Sequence, residues 1–197
     1  EDGNPVLYSL PSAWNEAKND GERWRFLLTE AGEISPALTG NAKYQWISFL
    51  RNQFGVQTMQ QWGFGGFFGR HSPDQGKKNE SGTYELHTLK ENETIARLAT
   101  GVKRITLPDE HNHIIQLKQV AELDDKSFAE TATNDLASIF ENRRQYPKAA
   151  KYWQQSIEKF GPGGKNKWKV DRLNQILDNW GRFDGTQTHP AGEKPSL

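Results

Sequence analysis

The sequence predicts an all-α fold of stacked antiparallel helix pairs, interrupted by one long aromatic- and glycine-rich insertion over 60–89. Three observations predict it. Apolar residues recur at helical spacing along most of the chain. Helix start and stop signals stand where those runs begin and end. Hydrophobic content is low, 34%, and much of it is aromatic, with seven tryptophans. A few large anchors suit thin helix-on-helix layers better than one thick core.

Ser12 to Lys18 reads as a short helix that Asn19-Asp20-Gly21 stops. Trp24, Leu27, Leu28 and Ala31 then stand at i, i+3, i+4 and i+7, one face of a helix that Gly32 helps to close. Ser35 before Pro36 gives an N-cap with proline at the first helical position. The helix it opens carries Ala42, Trp46, Phe49 and Leu50 on one stripe and ends near Phe54-Gly55. A short loop joins the two into an αα-hairpin. From Gln60 to Leu89 the period disappears, replaced by Gly63-Phe-Gly-Gly-Phe-Phe-Gly69 and a polar stretch through Ser81-Gly82. So long an interruption is a functional loop, a partly extended segment or a disordered one.

Helix resumes at Thr88, which with Glu91 fits a capping box. Ile95, Leu98, Ala99 and Val102 continue its face, and Gly101 marks the exit. Val102 to Leu107 alternates enough for a short extended segment. Pro108-Asp109-Glu110 opens a further helix with its acids in the first turn, where the helix dipole favours them. Ile114, Leu117, Val120 and Ala121 are its buried side. Helices then run from about Ser127 to Asn142, from Pro147 to Phe160 and from about Lys167 to Trp180. The last carries Leu173, Ile176, Leu177 and Trp180 on one face and closes at Gly181. This makes seven substantial helices in one domain, 1–183. Residues 184–197 are polar and rich in Pro and Gly, as a flexible linker to a following domain is. With a first residue Glu1 in place of Met, the chain reads as part of a longer polypeptide.

Two stretches resemble known families. Thr133-Asn-Asp-Leu-Ala-Ser-Ile-Phe140 with Tyr146 to Pro162 resembles one tetratricopeptide (TPR) motif over 133–162. Leu136 and Phe140 match its large positions, Ala137 and Ser156 its small ones, Ala149 its central alanine and Trp153 its aromatic. Thr133 departs from it, standing where tryptophan is typical. The resemblance implies closely packed helices with small residues where their axes meet. Separately, Leu173-Asn-Gln-Ile-Leu-Asp-Asn-Trp-Gly-Arg-Phe183 with Thr188-His-Pro-Ala-Gly192 is similar to the end of the N-terminal helical region of large bacterial alpha-2-macroglobulin-like proteins. Glu93 to Gly101 and Leu107-Pro-Asp-Glu110 resemble the same region. That likeness implies a secreted or periplasmic protease-trapping parent with β-sandwich domains following. The family's thioester requires a cysteine that this chain lacks, so the resemblance covers an accessory region, not the inhibitor's working parts.

Other chemistries find little support. Twenty-five basic residues balance twenty-five acidic ones, which gives no overall one-signed field for nucleic acid. The chain has no cysteine, which excludes disulfides, Cys-rich zinc sites and thiol nucleophiles. No run approaches the ~18 apolar residues of a membrane span. His111-Asn-His113 is the one metal-like cluster. On a helix its two histidines diverge by about 200°, so one is expected in solvent and the other on the surface. Gly63 to Phe68 lacks the third glycine of a dinucleotide loop. Gly161-Pro-Gly-Gly-Lys165 is followed by Asn166 where a P-loop needs Ser or Thr. Helix connections account better for both. Lys77-Lys78, Arg143-Arg144 and Lys165-Asn-Lys-Trp-Lys169 read as solvated faces. We therefore expect no catalytic, cofactor-binding or metal-binding residues.

Expected instead is a non-catalytic interaction or scaffold domain of a larger alpha-2-macroglobulin-like protein, monomeric in isolation. Its partner would be a protein, a peptide or neighbouring domains of the same polypeptide, and its compartment periplasmic or extracellular by the resemblance. A structural spacer is the alternative, and a helical glycan-processing enzyme a more distant one. A binder exposes aromatic or charged side chains along a groove, whereas a spacer has a bland, mixed surface. The helix-pair reading carries a stability prediction. Ala149→Leu should cost about 1–3 kcal/mol by forcing the helix axes apart. Lys151→Ala, on the outer face, should change stability by no more than about 0.5 kcal/mol. Denaturant titration of both variants checks the assignment of faces, and the reverse order would overturn it.

Overall fold

The computed structural model describes residues 5–56, 86–98 and 101–178. It is an all-α fold with packed neighbouring helices and one small two-stranded sheet. The order is α1 (Asp20–Ile34), α2 (Pro36–Phe54), β1 (Glu93–Leu98), β2 (Gly101–Thr106), α3 (His113–Ala121), α4 (Lys126–Asn142), α5 (Tyr146–Phe160) and α6 (Trp168–Asp178). Short 3-10 turns occur at Trp14–Glu16, Leu86–Thr88 and Asp109–His111. Most of the insertion expected over 60–89 lies outside the described residues, as do Trp180, Gly181 and the linker. Within the stretch expected as one domain, the chain groups into two compact units, Glu1–Gly55 with Glu91–Ala132 and Val56–Lys90 with Thr133–Leu197.

In the first unit, α1 and α2 form the expected αα-hairpin. Asn19, read as a stop signal, is in fact the N-cap of α1: its side chain accepts from the Glu22 N–H. The Glu22 carboxylate in turn accepts the Lys18 N–H, which holds its pKa below the usual carboxylate value. Gly32 lies inside α1 and does not end it. There the Thr39 hydroxyl donates to the Gly32 carbonyl at 2.9 Å, tying the two helices beside their tight Ser35 connection. The expected apolar face of α1 is largely outside: Leu27 is 50% exposed and Trp24 39%. The buried residue is Arg25, whose Nε donates to the Ser9 carbonyl at 2.6 Å while its guanidinium lies over Tyr8 and Phe49. On α2, Ala42 and Leu50 are buried as expected and Ile47 joins them. Leu50, Phe54 and Leu107 form a core against which Trp46, Phe49 and Ile105 pack.

The helix expected from Thr88 to Gly101 is a β-hairpin. Leu98 pairs with Gly101, Glu93 pairs with Thr106, and the Leu107 N–H bonds to the Asn92 carbonyl at 2.7 Å. A short apolar run fits either period. The β-branched Thr94, Ile95, Val102, Ile105 and Thr106 favour the extended form once a partner strand exists. The sequence marks Val102–Leu107 as extended but gives no sign of its partner strand. Gly101, at φ +110°, serves the hairpin in place of a helix exit. Burial of Thr94 adds the decisive contact, because its hydroxyl donates to the Phe54 carbonyl, one of the orphan acceptors at the end of α2.

Pro108 likewise opens only the turn Asp109–His111; Asn112 then caps α3 by accepting from the Ile114 and Ile115 N–H groups. Ile114, Leu117, Val120 and Ala121 are all buried, as the spacing required. Farther on, Asp125 accepts from Ser127 and Phe128 at the start of α4. The Phe128 ring presses on Gly40 of α2, where an added Cβ would lie 2.6 Å from the ring.

The Thr94 contact is testable. Thr94→Val keeps the shape but leaves a carbonyl without its donor, at about 1–3 kcal/mol. Urea titration should show that loss, whereas Thr94→Ser should retain much of the stability. Equal stability of Thr94→Val and the parent would show that the hydroxyl does not hold the hairpin.

Candidate interaction groove

The second unit contains the TPR-like pair. Side-chain pairings fix α4 and α5 as antiparallel: Glu141 meets Trp153, Phe140 stacks on Tyr152 at 5.5 Å, and the Ser156 hydroxyl donates to Asn134 at 2.6 Å. Ala137, Ala149 and Ser156, the small positions of the resemblance, are fully buried. Leu136, Phe140 and Trp153 are buried, and Lys151 is exposed. Thr133 is also buried, in the place usually held by tryptophan.

Two irregular connections set the geometry. Helix α4 ends in a Schellman motif: the Gln145 N–H reaches the Phe140 carbonyl and the Arg144 N–H the Glu141 carbonyl, with Arg144 at φ +57°. The turn between α5 and α6 has Gly161, Gly163 and Gly164 at positive φ. It is a helix connection, as expected from the failed P-loop spacing. Gly163 is required twice over, since a Cβ there would meet the Trp168 indole at 2.6 Å. The loop therefore seats Trp168 at the first position of α6. The buried face of α6 is Leu173, Ile176 and Leu177, as read from the sequence.

Between α4, α5 and α6 lies an open groove of about 640 Å³. Trp153 and Trp168 meet edge to face at 5.5 Å, with Trp168 46% exposed. The buried Glu141 carboxylate accepts from the Trp153 indole N–H, from Arg172 Nε at 3.1 Å and from Arg172 Nη2. Arg172 Nη1 donates to Gln175 at 2.8 Å. Ser138, Asn142, Asp171 and Gln175 complete the charged and polar lining. The fork-like pairing of Arg172 with Glu141 is the strong, oriented form of an ion pair.

Several expectations change here. Of the basic runs read as solvated, Arg143 and Lys169 are buried. Arg143 Nη1 donates to the Lys90 carbonyl, and the Lys169 ammonium lies over the Phe160 and Trp168 rings. Lys165 and Lys167 are exposed as expected, and Lys77-Lys78 lies outside the described residues. His111 and His113 are both buried, neither solvated. The 3-10 turn followed by a new helix replaces the continuous helix assumed for them. His111 Nε2 donates to the Tyr8 carbonyl at 2.9 Å, and its ring meets Trp46 and Phe54 edge to face. Among the described residues no group of three His, Asp or Glu side chains is placed to hold a metal ion. Glu141, Trp168, Asp171 and Arg172 had no distinguishing mark in the sequence. The only local signal was the spacing of 168, 172 and 175 on one stripe of α6.

No protein-family model matches this sequence, and no curated protein or solved structure is significantly similar to it.

The Glu141 junction predicts an ordered series. Glu141→Gln keeps an acceptor for the Trp153 N–H and frees a partly exposed Arg172, at a cost of about 1 kcal/mol or less. Glu141→Leu leaves that buried N–H unpaired and should cost about 1–3 kcal/mol. Denaturation followed by tryptophan fluorescence separates the two variants. Equal losses would make the charge, not the indole hydrogen bond, the controlling contact.

Proposed function

We propose that this chain is a non-catalytic interaction domain that takes a peptide or a protein segment in the groove between α4, α5 and α6. The half-exposed Trp168 carries this reading. A glycine that tolerates no side chain holds its indole in a groove lined by Asp171, Arg172 and Gln175. A mere spacer has no use for such an arrangement, and aromatic–arginine settings are enriched where proteins bind one another. Glycan cleavage is the weaker reading, because both Glu141 oxygens are already committed to Trp153 and Arg172.

The parent we propose is a large alpha-2-macroglobulin-like protein, secreted or periplasmic, with this domain on its N-terminal side. That part rests on the sequence likeness around Leu173–Phe183. Panning a random peptide library displayed on phage against the chain tests the groove. Binding peptides should be recovered, and Trp168→Ala should abolish their capture while leaving the helical circular dichroism intact. Failure to recover any, or recovery insensitive to Trp168, would favour the spacer.

A further inference from the structure

We infer that the outer face of α1 is a self-association surface, on which two copies of the chain pack α1 against α1, antiparallel, about a two-fold axis near Leu27. The surface belongs to the first unit and is independent of the groove. It replaces the monomer expected from the sequence, because the apolar stripe assigned to the core of α1 is turned outward. Among the described residues, every exposed large apolar side chain except Val102 and Trp168 lies between 6 and 38. Trp24, Leu27 and Ile34, the last 79% exposed, run at helical spacing along α1. Trp14 widens the patch, its ring meeting Phe26 and the Arg23 guanidinium. So much uncovered apolar surface gathered on one unit marks an interface.

Charge selects the occupant. Leu27 is the middle residue of α1, with Arg23 four residues before it and Glu30 three after, on the same side of the helix. Glu33 follows in the last turn, which holds no basic residue and where the helix dipole disfavours an anion. Glu30 and Glu33 have no ion-pair partner among the described residues. Arg23 pairs with Asp20, whose side chain is almost fully exposed, a weak contact that is readily exchanged.

A two-fold axis at Leu27 sets the second copy's Arg23, and the positive start of its α1, beside Glu30 and Glu33. By symmetry the same arrangement repeats on the other side, and Leu27 meets its own copy between them. Acids that α1 cannot stabilise by itself thus find their counter-charge in a copy of the same helix. An anionic lipid surface calls instead for basic residues along the whole face and would repel the acidic end.

Sedimentation velocity on the intact chain over a wide range of concentration provides the test. A reversible dimer should appear as concentration rises. Leu27→Glu sets a carboxylate against its own copy at the axis and should weaken association at least about tenfold. Arg23→Glu and Glu30→Arg, each alone, should weaken it about fivefold by replacing attraction at the rim with repulsion. Both exchanges in one chain restore the pairing with its signs reversed, and association should return. Circular dichroism should stay unchanged throughout, since these positions lie at the surface.

A chain that stays monomeric at every concentration overturns the proposal and leaves the face to a different partner. A dimer indifferent to Leu27→Glu uses another surface. One that the double exchange fails to restore is not antiparallel through α1. Either result also overturns it.

Discussion

A carboxylate deep in a helical layer keeps its charge only if donors surround it, because the cost of burying an unpaired ion exceeds what packing returns. Glu141 meets that condition with one donor from α5 and two from α6. Three helices therefore share one anion. The indole N–H of Trp153 can reach it only if α4 and α5 lie side by side, and the small residues on these two helices, Ala137, Ala149 and Ser156, are fully buried. Arg172 can reach it only if α6 enters at a fixed angle, which needs the glycine turn at 161–164. The small residues, the turn and the ion pair are thus one constraint expressed at three places.

The same logic explains how a chain only 34% hydrophobic keeps a core. Its large side chains combine apolar area with a polar handle or a charged neighbour. Trp153 buries its ring and hydrogen-bonds through its edge; Phe49 and Tyr8 receive the Arg25 guanidinium; Phe140 receives Lys148. Arg25, Arg143 and Lys169 are consequently buried where composition alone would put them in solvent. Charge here is packing material, since Arg25 and Lys169 lie over aromatic rings while Arg25 and Arg143 donate to backbone carbonyls.

That is also why the helices could be read from the sequence and the groove could not. Periodic apolar positions such as Leu117, Leu136 and Leu173 report a face directly, and proline at the first helical position, as at Pro36, reports a start. Both signals are local. The β-hairpin misled because Thr94 obtains its value from Phe54, forty residues away, while its neighbours happen to repeat at helical spacing. His111 and His113 misled for a similar reason: one residue, Asn112, ends a 3-10 turn and begins a helix, placing both rings inward. Glu141 and Arg172 were indistinguishable from any solvated pair until their helices came together.

Trp168 shows how the local and the distant combine. A tryptophan at the first turn of a helix is ordinarily free to swing toward solvent or core. Here Gly163 gives its indole a backbone seat, Trp153 limits it from a second direction, and Lys169 lies over its ring. Much of the rotational entropy that binding would otherwise consume is already removed in the free protein. The fixed indole borders Arg172, whose guanidinium is held by Glu141 but still has donors to offer. Apolar platform and charged donor are thus preset by the contacts that hold α6 in the fold, so under the proposed function structural support and recognition would draw on the same side chains.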